Sequence, residues 1–104
     1  MSNQLLRVTV EELCDRQGIA RSLVVELVEH EIARPLAGET PEEWVFDAGA
    51  VTWVGCALRL RRDLELDWVA VAMLIDLLRE RERLTRENTQ LRQQLARFVD
   101  PTDG

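Results

Sequence analysis

The sequence predicts a mainly α protein: a helix-turn-helix head with a small β-wing, then one long C-terminal helix that forms a coiled coil. Three observations carry that expectation. Leu77, Leu84, Leu91 and Phe98 fall seven residues apart, with Leu74, Arg81, Asn88 and Leu95 three residues ahead of each. Two short stretches with apolar residues at helical spacing, Val10–Arg16 and Arg21–Glu29, flank Gly18. Between Pro35 and Asp47 the chain carries turn residues and one β-prone run, Trp44-Val45-Phe46.

Taken in order, the first helix is announced by Thr9-x-x-Glu12, the pattern of a capping box. In such a box the Thr hydroxyl takes the Glu12 amide while the Glu12 carboxylate reaches back to the cap. Val8 and Leu13 have the spacing of a hydrophobic staple, and Gly18 suits the left-handed end of the helix. The second helix, Arg21–Glu29, turns Leu23, Val24, Leu27 and Val28 inward, but Ala20 is a poor cap for it. Two helices joined by a short glycine-containing turn suggest a helix-turn-helix, and an ordinary αα-hairpin fits this segment equally well. A short strand or hairpin at Trp44–Phe46 stands where a wing would be. Asp47 caps a third helix over Ala48–Asp63, with Val51, Val54, Leu58 and Cys56 facing inward, and a break follows at Leu64–Leu66.

Asp67 then starts the long helix, which meets neither Gly nor Pro until Pro101. That is about 32 residues, on the order of 48 Å at 1.5 Å per residue. Its apolar stripe is narrow, and charge and amide fill the rest, so a second helix of the same kind is needed to cover it. Leu77, Leu84, Asn88, Leu91, Leu95 and Phe98 are the expected dimerisation residues. Asn88 in the seam costs stability but penalises wrong registers, and Arg81 weakens the seam further. The alternative is a lone charged helix packed on its own head. The chain divides accordingly into a head of residues 1–66, a dimerisation helix of residues 67–99 and a frayed tail of residues 100–104.

Composition narrows the function. With 104 residues there is room for one small domain plus an extension. No run approaches the roughly 20 apolar residues of a membrane span. The opening MSNQLLRVTVEEL has no basic n-region ahead of an apolar block, and Cys14 and Cys56 stand alone, so a cytoplasmic protein with reduced thiols is expected. All 13 basic residues are Arg, there is no Tyr, and His30 is the only histidine. That removes Schiff-base lysines and P-loops and leaves no set of ligands for a metal; no cofactor is expected. Paired carboxylates such as Glu11-Glu12 and Glu42-Glu43 need a cleft to become acid–base catalysts, and nothing predicts one. The protein reads as a non-enzyme.

The net charge of −6 sits wholly in residues 1–50, where four Arg face ten acids; residues 51–104 carry nine of each. A recognition helix for DNA brings Arg, Lys, Asn or Gln to base edges and cations to phosphates. The second helix offers Arg21 and Ser22, then Glu26, Glu29, His30 and Glu31. Direct nucleic-acid binding is therefore not expected. Glu26 and Glu29 share a helical face with Glu31 just beyond, which suits a basic protein partner, although surface carboxylates are most often simply solvated. Trp44 is a candidate interface anchor, whereas Phe46 is more at home in a core and Trp68 against the third helix. Arg59, Arg61 and Arg62 ahead of Asp63, Glu65 and Asp67 form a mixed run suited to local ion pairs.

The order of elements resembles the MerR-like winged-helix architecture, with Thr9, Glu12-Leu13, Gly18-Ile19 and Pro35 at its first cap, turn and start of the wing. A narrower match lies in WVFD (Trp44–Asp47), RLRRDLELDW (Arg59–Trp68) and RENxxLRQQLxRF (Arg86–Phe98), which are similar to the chaperone-modulator family CbpM. That resemblance covers nearly the whole chain. It implies a protein without enzymatic activity that binds the J-domain of CbpA, a DnaJ-like co-chaperone. Binding would block stimulation of the DnaK chaperone and the co-chaperone's association with DNA. J-domains of this kind present a positively charged helix, so the resemblance points to Glu26, Glu29 and Glu31 as partner-binding residues, with Trp44 the candidate aromatic anchor beside them. Ala20 departs from the pattern, since a hydroxyl or amide cap is expected there. The alternative function is that of a MerR-like DNA-binding transcription regulator.

Overall fold

Each helix start in the computed structural model, which describes residues 6–99, is fixed by a side-chain cap or by the turn before it. Strand β1 (Val8–Thr9) runs directly into α1 (Val10–Gln17). The capping box is complete: the Thr9 amide donates to Glu12 Oε1 at 2.9 Å and the Glu12 amide donates to Thr9 Oγ1 at 3.1 Å. Gly18 closes α1 at φ 65°, where a side chain would be strained. Helix α2 (Arg21–Glu29) has no side-chain cap at Ala20; the Leu23 and Val24 amides bond the Ala20 carbonyl instead, at 3.1 and 3.3 Å. Beyond it the Ile32 and Ala33 amides both return to the Leu27 carbonyl, which tucks those two side chains into the core.

The wing is smaller and differently paired than a free hairpin. Strand β2 (Val45–Phe46) pairs antiparallel with β1, Val8 opposite Phe46 and Thr9 opposite Val45. Val8 is thus a strand residue as well as a staple residue. The loop before β2 folds back on it: the Leu36 amide donates to the Val45 carbonyl at 2.7 Å and the Val45 amide to the Ala37 carbonyl at 3.1 Å. A single 3-10 turn at Pro41–Glu43 completes the loop. Gly38, at φ 106°, passes so close to it that a Cβ would stand 2.4 Å from the Glu43 carbonyl oxygen.

Helix α3 (Ala48–Leu64) begins where Asp47 Oδ1 accepts from the Ala50 amide at 2.8 Å, and ends at Glu65, a non-glycine residue at φ 53°. Helix α4 (Trp68–Val99) starts with the Asp67 carboxylate accepting from the Ala70 amide at 2.8 Å. Its 32 residues match the length expected from the sequence. The sequence-expected ends of α1 and α3, Arg16 and Asp63, each fall one residue short, because the last turn runs on to the left-handed residue. The tail of residues 100–104 and the first five residues lie outside the described residues.

One core forms where α1, α2, α3, the two-stranded sheet and the first part of α4 meet. Phe46, Leu13, Leu27, Ile32, Ile75, Val24, Val54 and Val71 are fully buried there. Each such side chain contributes roughly 1.5–3 kcal/mol by burial. Val51, Cys56 and Leu58 pack at its edge, half-buried. Trp68 is buried against α3 with Arg61 over its ring at 4.4 Å, while its indole N–H has no hydrogen-bond partner among the described residues. Past Arg79 the helix leaves the head, so the radius of gyration is 17.7 Å, against about 13 Å for a compact domain of 100 residues.

The capping box makes a pH prediction. Bonds from the Thr9 amide and hydroxyl hold the Glu12 carboxyl below its ordinary pKa. Stability from this contact is present above the ordinary carboxylate pKa and is lost as pH falls through the lowered value. Glu12→Gln keeps the cap's hydrogen-bond capacity but cannot titrate. Thermal melts at pH 7 and pH 3 should show a smaller acid-induced fall in Tm for the variant than for the parent.

Candidate partner-binding surfaces

Two surfaces stand clear of the core. The first is the outer face of α2. Val24 and Leu27 point into the core, which leaves Ser22, Glu26 and Glu29, one and two turns apart, in solvent on the opposite side. Glu31 follows at φ 59°, also exposed. Among the described residues none of these three carboxylates has an ion-pair partner. Arg21 at the start of α2 lies 3.9 Å from Glu42, a contact exposed at both ends and worth little by itself. His30 is half-buried at the end of α2, its amide bonded to the Glu26 carbonyl.

The acidic face is held by a residue that inspection of α2 alone does not reveal. Arg79 of α4 donates from Nη1 to the Glu31 carbonyl at 3.0 Å and from Nη2 to the Ile32 carbonyl at 2.5 Å. Its guanidinium lies 5.3 Å from the centre of the Trp53 ring and 3.9 Å from Asp76, which also approaches Arg34 at 3.8 Å. Burial, and then the neighbouring Arg34 charge, pull its pKa below the usual arginine value. Two carbonyls in the segment just after α2 thus receive one planar, two-pronged cation. Arg79→Ala should cost about 2 kcal/mol in urea unfolding, because both carbonyls lose a charge-assisted bond. Arg79→Lys should recover only part of that, since an ammonium has no fixed fork.

Trp44 sits half-buried at the edge of the head, edge-to-face with Phe46 at 6.3 Å between ring centres. Trp44 stands just before β2, one residue short of the strand expected over Trp44–Phe46, because it closes the 3-10 turn, and Phe46 is a core residue.

The second surface is the outer strip of α4. Leu77, Leu84, Leu91, Leu95 and Phe98 are between 52% and 81% exposed, with Asn88 exposed among them. The Asn88 side-chain oxygen accepts from Arg92 Nε at 2.6 Å. Leu74 differs: it lies at the border of the head and is half-buried. Val69 and Met73, 59% and 64% exposed, prolong the strip down the flank of the head. They escape a strict heptad drawn from Leu74, although a spacing of four back from Leu77 reaches both. In the first turns α4 therefore carries two apolar faces: Trp68, Val71 and Ile75 inward, Val69, Met73 and Leu77 outward. On the polar flanks Arg83 bridges Glu80 and Glu87.

Among the described residues no cluster of three His, Cys, Asp or Glu side chains is placed to hold a metal ion, and no helix is long and apolar enough to cross a membrane. The family model described as MerR HTH family regulatory protein matches residues 8–93. Among curated proteins, the chaperone modulatory protein CbpM of Pseudomonas entomophila (strain L48) is 40% identical over 98 residues, covering 94% of this chain and 96% of that protein. The same-named proteins of Pseudomonas putida (strain W619) and Citrobacter koseri are 41% and 39% identical, covering 94% and 95% of this chain and 96% and 97% of theirs. Both descriptions are of regulatory proteins. With matches spanning nearly the whole of each chain, this protein belongs to the CbpM family of chaperone modulatory proteins, within the MerR helix-turn-helix group.

Proposed function

We propose that the protein is a non-enzymatic chaperone modulator that docks its acidic head on the J-domain of a CbpA-type co-chaperone. Occupying the surface that the DnaK chaperone needs would prevent stimulated ATP hydrolysis, and would also block the co-chaperone's association with DNA. The observation that carries this reading is the solvent-facing set of Glu26 and Glu29, on the helix that a DNA-binding relative would use for recognition, and Glu31 just beyond it. A duplex carries roughly one negative charge per 1.7 Å, so this face repels DNA and favours a cationic protein surface. The relatives' name, chaperone modulatory protein, supports the class of function. Trp44 borders the docking site in this reading. The head, residues 1–66, makes the partner contact, and the helix of residues 67–99 joins two copies through Leu77, Leu84, Asn88, Leu91, Leu95 and Phe98. The cytoplasm is the proposed site of action.

Titration calorimetry of the full chain against the isolated J-domain of the co-chaperone from the same organism, with a duplex DNA control, tests this reading. Micromolar or tighter binding to the J-domain, and no heat with DNA, is expected. The reverse pattern would favour the transcription-regulator reading that the MerR match keeps open.

A further inference from the structure

We propose that the cleft between the segment after α2 and the start of α3 binds a small aromatic monocarboxylate. The cleft holds about 290 Å³ and is walled chiefly by Arg34, Pro35, Leu36, Asp47, Trp53 and Arg79. That volume lies at the lower end of the range for small-molecule sites, which are mostly apolar hollows with a few converging polar groups. The proposal goes beyond the partner reading above and depends neither on the J-domain nor on the dimer.

Charge sets one end of the ligand. Arg34 and Arg79 share a single acid, Asp76, at 3.8 and 3.9 Å, and both distances exceed the roughly 3.5 Å reach of a direct hydrogen bond. Asp76 is itself 66% exposed and stands outside the wall of the cleft. Arg79 is fixed by its bonds to the Glu31 and Ile32 carbonyls, whereas Arg34 donates to no hydrogen-bond acceptor among the described residues. The Arg34 charge also lowers the Arg79 pKa, so the two cations repel each other. A carboxylate beside both relieves that repulsion and takes the two-pronged bond that an arginine favours.

The apolar wall sets the other end. The Trp53 ring is half-buried, with the Arg79 guanidinium 5.3 Å from its centre, and Leu36 is 48% exposed beside half-buried Pro35. A flat ring carried by the carboxylate would lie against these three side chains. Asp47 limits the charge. Its carboxylate caps α3 by accepting from the Ala50 amide at 2.8 Å and remains in the wall of the cleft, so a dianion gains less there than a monocarboxylate.

Proton–nitrogen NMR of the full chain tests the proposal, with the Trp53 indole N–H signal identified by its loss in Trp53→Phe. Benzoate should move that signal along a saturable curve with a Kd of about 1 mM or tighter, the order a ligand of this size can reach. Benzamide, with the same shape and no charge, should leave the signal in place. Arg34→Gln, in which a side chain that is 59% exposed is replaced, should keep parent-like circular dichroism and weaken benzoate binding about tenfold or more. No movement of the Trp53 signal at ten times the expected Kd would overturn the site. Equal movement with benzamide, or unchanged benzoate binding in Arg34→Gln, would overturn recognition of the carboxylate by the arginines. Inorganic phosphate displacing benzoate at equal concentration would overturn the ligand class, leaving a general anion site.

Discussion

Leu84→Asp combined with Leu91→Asp is expected to leave the protein monomeric and to strip helix from the outer half of α4. Both leucines project from the exposed strip, more than half in solvent in a single chain, so the substitutions disturb nothing in the head. In the proposed pair each aspartate would stand in the seam without a cationic partner, and an unpaired carboxylate out of water costs several kcal/mol. The effect should be all or none in light scattering at micromolar concentration. A second readout follows from helix thermodynamics. Beyond Arg79 nearly every side chain of the helix is exposed, and most helical stability in proteins comes from packing of an apolar face rather than from propensity. Loss of pairing should therefore lower the helical signal while the head's thermal transition stays in place. An unchanged mass would remove the claim that this strip pairs at all.

Charge reversal of the α2 face is the second large effect. Glu26→Arg with Glu29→Arg should weaken binding to the J-domain about 100-fold, equivalent to about 2.7 kcal/mol. Both side chains are exposed and lack an ion-pair partner among the described residues, so the loss reflects the partner rather than the fold. Like-charge juxtaposition across an interface costs several kcal/mol, and the association rate should fall most at low salt, where steering is strongest. Circular dichroism should be unchanged. Retained affinity with retained helicity would move the docking site to the wing around Trp44.

What was legible in the sequence was what short-range bonds decide. Thr9, Gly18, Asp47 and Asp67 each act within three or four residues, and each marks a helix boundary in the structure. The wing was half legible: Trp44–Phe46 reads as a strand, but its partner Val8–Thr9 is two residues long and lies far away in sequence. No local pattern names such a pairing, because the core sets it. Arg79 was hidden for the same reason, since one more arginine on a charged helix looks solvated. Its carbonyl partners lie 47 and 48 residues back. The face marked by Trp68, Val71 and Ile75 was the available signal, for Arg79 continues it one turn on. The acids of α2 were legible as a surface, since a helix that turns Val24 and Leu27 inward must turn Glu26 and Glu29 outward.

The two-faced opening of α4 has an evolutionary consequence. From Trp68 to Leu77 almost every position either fills the head or lines the outer strip, so few substitutions there leave both surfaces intact. From Glu80 to Arg97 only one side carries apolar residues, and the remaining positions tolerate any good helix former. Drift within a lineage should therefore be slow in the first third of this helix and fast on the flanks of the rest.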